Sequence, residues 1–140
     1  METKKFQSLV QPSQLITVEK AKQLNQNFNL LRLTANEDAN AVWYSLEELQ
    51  NYINYIKDQG NQKGYIVDGI RFYLGVYPPN EPNGRAGLTT IFLSPTGQLV
   101  QTNGVKISLM AQQTGSDDIT VIQPLNFGSM GNPPKMNYGE

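Results

Sequence analysis

The sequence predicts an α+β fold, with two N-terminal helices packed on a mostly antiparallel sheet of about four to five strands, then an irregular C-terminal tail. Three observations carry this expectation. Up to about residue 59, apolar side chains recur every three or four positions, the spacing of one helix face. From Gly64 the period falls to two, the spacing of a strand. The links between the later strands are too short for helical crossovers, so neighbours should pair antiparallel.

A chain of 140 residues matches one domain, and folding at that size buries roughly 68% of the extended chain's surface. The domain is expected over residues 16–122, between a flexible lead-in at 1–15 and a Pro/Gly-rich tail at 123–140. Residues 1–15 carry Pro12 and Ser13 as punctuation. Ile16-Thr17-Val18-Glu19 then opens a helix, with Thr17 able to cap its first free N–H groups and Glu19 in the electropositive first turn. Ala21, Leu24, Phe28 and Leu31 form its apolar stripe, and Thr34 to Asn40 is a polar connection.

Ala41 to Tyr44 is strand-like. Ser45 and Glu48 then form a capping box, in which each side chain serves the other's backbone donor, and Tyr44 with Leu49 is placed for a hydrophobic staple. The helix is expected over 46–59, with Leu46, Leu49, Ile53 and Ile56 on one face and Gly60 as its left-handed stop. In the strand that follows, Ile66, Ile70, Phe72, Leu74 and Val76 share the parity suited to a core. Tyr65, Val67, Arg71, Tyr73 and Tyr77 share the other. Asp68, beside Gly69 on the apolar parity, predicts a bulge or tight bend. A Pro/Gly/Asn loop from Pro78 to Gly87 leads to a strand at Leu88–Leu93, Pro95 to Gln98 reads as a turn, and Leu99–Val100, Val105–Met110 and Ile119–Ile122 are shorter strand candidates.

Composition removes whole classes of chemistry. The chain has no histidine and no cysteine, which excludes imidazole acid–base work, thiolate chemistry, disulfides and zinc ribbons built from its own residues. No phosphate-cradling glycine motif is present, so neither a cofactor nor a metal is expected. Eleven basic residues against twelve acidic ones, without blocks of one sign, argue against nucleic acid and anionic membranes as partners. No apolar run long enough to span a membrane and no secretory leader is visible, so the cytoplasm is the expected compartment. Fourteen Asn and thirteen Gln with only 16% charged residues give a weakly repulsive surface that permits a homo-oligomer.

The candidate site is the Arg71, Tyr73 and Tyr77 parity, with Trp43 joining if its strand lies nearby. A guanidinium beside aromatic rings grips carboxylates, phosphates or a protein surface, and Arg, Tyr and Trp dominate binding hot spots. The alternative is a covered sheet face with the Arg71 head extended to water. Asp68 on a buried parity has two readings. It is either a carboxylate with a raised pKa suited to acid–base chemistry, or a turn aspartate bonded to backbone donors around Gly69. Asp117-Asp118 reads as a turn, and the loop with Glu81 and Arg85 as a hairpin tip or a partner contact.

The segments Val42-Trp43-Tyr44-Ser45-Leu46-Glu47-Glu48-Leu49, Tyr52-Ile53 and Asp68-Gly69-Ile70-Arg71-Phe72-Tyr73-Leu74-Gly75 resemble a family of small uncharacterised bacterial proteins. Thr89 to Leu93 and Pro124 to Gly128 extend the likeness across residues 16–134. The resemblance implies one native bacterial domain and transfers nothing functional. From the missing catalytic residue types and the Arg–aromatic parity, the expected function is a non-enzymatic binding module for a small anionic ligand or a protein, with a self-assembling subunit and a carboxylate enzyme as alternatives.

Overall fold

The hydroxyls of Thr17 and Ser45 start the two helices as their positions predict. In the computed structural model, which describes residues 10–32, 38–100, 116–130 and 138–139, Lys20 N–H donates to Thr17 Oγ1 at 3.0 Å and Glu48 N–H to Ser45 Oγ at 2.9 Å. Each bond satisfies an N–H that a helix leaves without an internal partner. The elements are α1 (Val18–Arg32), β1 (Val42–Trp43), α2 (Leu46–Lys63), β2 (Tyr65–Val76), β3 (Thr89–Leu99), β4 (Asp117–Asp118) and β5 (Ser129–Met130). The chain divides into two compact units, Met1–Thr34 with Asn137–Glu140, and Ala35–Met136.

The first unit holds α1. Its stripe is not fully buried, since Leu24 and Leu31 keep 50% and 73% of their surface exposed. Tyr138 N–H donates to Asn25 Oδ1 at 3.1 Å, tying Tyr138 to the helix.

The second unit holds the sheet, and α2 packs on it. Helix α2 does not stop at Gly60. It runs to Lys63, and Gly64, at φ 80°, is the left-handed cap. Gly60 is buried in the last turn because a Cβ there would lie 2.6 Å from Val67 Cγ2. The glycine permits close packing of α2 on β2 and does not end the helix. Tyr52 and Ile56 of α2 join Leu93, Ile119 and Ile122 in the buried core, with Tyr44, Leu49, Tyr65, Val67, Ile70, Ile91 and Leu125 packed around them. The Tyr52 hydroxyl lies 2.9 Å from the Gln123 carbonyl and 3.1 Å from that of Leu93. Burial, with Tyr55 beside it, pushes its pKa up to about 12.

One sheet of four to five strands is not what the described residues form. β2, β3 and β4 make a three-stranded antiparallel sheet in that order, and β1 with β5 makes a separate two-stranded antiparallel ribbon. The strand expected at Val105–Met110 lies outside the described residues. β3 runs straight through Pro95 to Gln98, where a turn is expected. Pro95 lacks an N–H, but in the ladder it faces Ile70, a position whose backbone groups point away from β2, so no bond to β2 is lost. Ile119–Ile122 is a turn and not a strand. Ile119 and Ile122, each 2% exposed, plug the core, and Asp117-Asp118, expected in a turn, are β4. The tail is less irregular than expected, because Leu125 exchanges both backbone bonds with Leu93 and Ser129–Met130 is β5.

The expected bulge is present; it exchanges the faces expected for Tyr65, Ile66 and Val67 before it and leaves those of Ile70 to Val76 as expected. The β2–β3 register shifts between Val67 and Gly69, which places one extra residue, Asp68, in β2. Residues directly across a ladder share a face. Tyr65, Val67, Ile70, Phe72, Leu74 and Val76 therefore lie on the core side, opposite Leu99, Gly97, Pro95, Leu93, Ile91 and Thr89. Ile66, Arg71 and Tyr73 lie on the other. Helix α2 covers the Tyr65–Ile70 end. Phe72, Leu74 and Val76 remain 60%, 77% and 68% exposed, against the expectation that they are core.

Asp38 fixes the entry to β3. Its carboxylate accepts from Thr89 N–H at 2.7 Å, Thr89 Oγ1 at 2.6 Å and Ala39 N–H at 2.7 Å. Burial opposes the charge, yet the bonds from the Thr89 hydroxyl and the two N–H groups outweigh it and hold the carboxyl below its ordinary value of 3.8. A depressed carboxyl stabilises the fold above its unfolded pKa and loses that contribution as pH falls through the folded value. Asp38→Ala should cost about 1–3 kcal/mol at neutral pH. In urea melts, the gap between variant and wild type should close below about pH 3.8. A gap that stays constant down to pH 2 would show that Asp38 acts through something other than its charge.

Candidate functional site

The bulge and the short strand β4 build the candidate site together. β4 pairs Asp118 with Thr96 and Asp117 with Gly97, which carries the Asp118 carboxylate across β3 to the Arg71 and Tyr73 side chains of β2. Arg71 Nη1 donates to Asp118 Oδ1 at 2.6 Å, and Nη2 to the Ser116 carbonyl at 2.9 Å. The Tyr73 hydroxyl donates to Asp118 Oδ2, and its ring stacks on Phe92 with centroids 5.0 Å apart. One carboxylate thus holds both the guanidinium and the phenol.

This coupling fixes protonation. The hydrogen bond with Tyr73, and then that with Asp118, keeps the Arg71 guanidinium more firmly protonated than usual. The bond to Asp118, followed by burial, raises the Tyr73 phenol above its ordinary value despite the nearby guanidinium. Neither group changes charge at neutral pH.

Asp68 sits at the bulge on the exposed surface, not on a buried parity. Its carboxylate accepts from Thr96 Oγ1 at 2.8 Å and from the Ser116 hydroxyl. Among the described residues its partners are hydroxyls, and not the backbone donors of a turn. Asp68, Gly69, Ile70, Arg71, Thr96 and Ser116 line an open cleft of about 490 Å³. A second cleft of about 310 Å³ lies on the α2 side of the same bulge, between Ile53, Ile56, Lys57 and Val67.

Two of the expected site residues are elsewhere. Tyr77 is buried, donates to Asn126 Oδ1 at 2.8 Å, accepts from Thr90 Oγ1 at 3.3 Å and stacks on Phe127. Its parity is that of Arg71, but it lies past the end of β2 and serves the loop. Arg85 reaches over the Phe127 ring at 5.3 Å, which ties the loop back to residues 126–127. Trp43 is 65% exposed on β1, in the two-stranded ribbon, and no described contact joins it to Arg71. Conversely, Thr96, Ser116 and Asp118 belong to the site and carried no usable signal. Asp117-Asp118 looks the same in sequence whether it forms a turn or an edge strand.

The geometry offers hydrogen-bonding groups held in fixed positions, with one guanidinium against the two carboxylates of Asp68 and Asp118. A small anion would meet those carboxylates as it approached Arg71. Among the described residues no three acidic side chains converge as a metal site would require, and no helix is long and apolar enough to cross a membrane. Comparison with protein-family models, curated proteins and solved structures gives no match.

Proposed function

We propose that this protein is a non-enzymatic interaction module that engages another protein through the β2 face carrying Arg71, Tyr73 and Asp68. The observation supporting this reading is the shared carboxylate of Asp118. It ties together an Arg that lines an open cleft and a neighbouring Tyr, so less side-chain freedom remains to be lost on binding. Arg and Tyr are the residue types that carry most energy at protein interfaces. The excess of carboxylate over guanidinium favours a protein surface that brings N–H donors over a small anionic ligand.

Native mass spectrometry of the protein purified from its own host tests the reading. A bound partner should be lost when Arg71→Ala and Tyr73→Ala are combined, with the melting temperature within a few degrees of wild type. A partner retained equally by the double variant removes this face from the proposal. A bound small molecule lost in the double variant would replace the protein partner with that ligand.

A carboxylate enzyme has one observation in its favour, the position of Asp68 in the open cleft beside Arg71. Turnover that survives Asp68→Asn would leave that reading without its base.

A further inference from the structure

Among the described residues β2 is an edge strand, and the direction of its outer backbone groups follows from β3. Thr89 N–H donates to Asp38, and the Ile91 carbonyl accepts from Asn126 Nδ2 at 2.6 Å. Leu93 exchanges both backbone bonds with Leu125, and the Pro95 carbonyl accepts from Ile119 N–H at 2.9 Å. All these groups point away from β2. Their ladder partners Val76, Leu74, Phe72 and Ile70 therefore form non-hydrogen-bonded pairs, and direct their own N–H and C=O groups away from β3. Tyr77, whose N–H donates to the Leu88 carbonyl, has the opposite phase, as alternation requires. The outer side of β3 is thus satisfied position by position, whereas no strand among the described residues pairs with the outer side of β2.

The edge also lacks the usual protection against pairing. Gly69 to Val76 contains no proline and no lysine, and the bulge lies behind it at Asp68. Its one charge, Arg71, is turned to the opposite face and paired with Asp118. Long apolar edges without such devices pair with other strands.

We propose that β2 pairs antiparallel with β2 of a second copy about a two-fold axis beside Tyr73, joining two three-stranded sheets into one. The strand is complementary to itself in this register. Phe72 falls opposite Leu74 of the second copy and Ile70 opposite Val76, so every outward N–H and C=O of these four residues finds a partner. The exposed side chains of Phe72, Leu74 and Val76 meet on one face, with the partly buried Ile70 beside them. On the other face Arg71 falls opposite Gly75, which has no side chain to obstruct it, and no like charges oppose one another. Moving the axis to Phe72 would set Val76 against Asp68, inside the bulge. A net charge of −1 adds little repulsion between copies. The inference uses the edge and core-side face of β2, not the Arg71–Tyr73–Asp118 network, so either reading can fail alone.

Sedimentation velocity over a wide concentration range, combined with amide hydrogen exchange, tests the dimer. The wild type should show a monomer–dimer equilibrium. Amides of Phe72 and Leu74 should gain protection as concentration rises, while those of Arg71, Tyr73 and Gly75 stay protected throughout. Leu74→Pro removes an outward N–H without taking a β2–β3 bond, and should weaken the dimer at least about tenfold. Leu74→Lys keeps the backbone donor and should weaken it as well. A monomer at every concentration overturns the proposal. So does a dimer indifferent to both variants, or a monomer whose Phe72 and Leu74 amides are already protected.

Discussion

Gly97→Ala should lower stability by about 3 kcal/mol or more, because the new methyl group would collide with backbone that cannot yield. A Cβ at this position meets the Ile66 carbonyl oxygen closer than van der Waals contact allows, the Ile66 carbonyl carbon at 3.0 Å and Ile119 Cδ1 at 2.9 Å. Ile66 is fixed by the ladder beside the bulge, and Ile119 is a buried plug of the core. Relief therefore requires either opening the β2–β3 ladder or displacing the turn that follows β4. At about 4 °C per kcal/mol the melting temperature should fall by roughly 12 °C. Gly75→Ala in the same sheet is the control. Its Cβ would find Thr90 Cγ2 at 3.8 Å and Phe92 Cδ1 at 4.0 Å, which are ordinary contacts. Calorimetry should show Gly75→Ala near wild type, and equal losses in the two variants would refute the steric argument.

Leu93→Ala should cost about 2–5 kcal/mol, the range for emptying a fully buried leucine site. Leu93 is 0% exposed and joins α2, β3 and the Ile119–Ile122 turn in one core. Its backbone bonds to Leu125, and the Tyr52 hydroxyl on its carbonyl, hold the strand in place, which limits collapse into the cavity. Phe72 stands directly opposite on the same face but is 60% exposed. Phe72→Ala should therefore cost well under half as much in dilute monomer, as urea titrations at low concentration would show. A large loss at Phe72 would mean that this end of the sheet is covered.

The features legible in the sequence were those decided within a few residues. Thr17 and Ser45 cap their helices because a hydroxyl at that position can reach an N–H two or three residues on, whatever the rest of the chain does. The Asp68-Gly69 bulge was readable for the same reason, since a polar residue beside a glycine interrupts an apolar alternation locally. The α+β class and the antiparallel pairing followed from the change of period at Gly64 and from short connections.

Tertiary structure decided the rest. Parity along β2 depends on whether the bulge adds a residue on one strand, and a single inserted position flips every side chain before or after it. Gly60 could be a stop or a close-packing residue, and only the approach of Val67 selected the second. Pro95 to Gln98 has turn composition, yet β3 runs through it because β4 and the Ile119 turn give its carbonyls partners. The site shows the same division. Sequence placed Arg71 and Tyr73 two apart on one strand face, where alternation alone brings them together. Their common partner Asp118 lies 47 residues from Arg71 along the chain. Spacing says nothing about contacts made by chain reversal, so the sequence supplied the pair of side chains and the fold supplied the carboxylate that holds them.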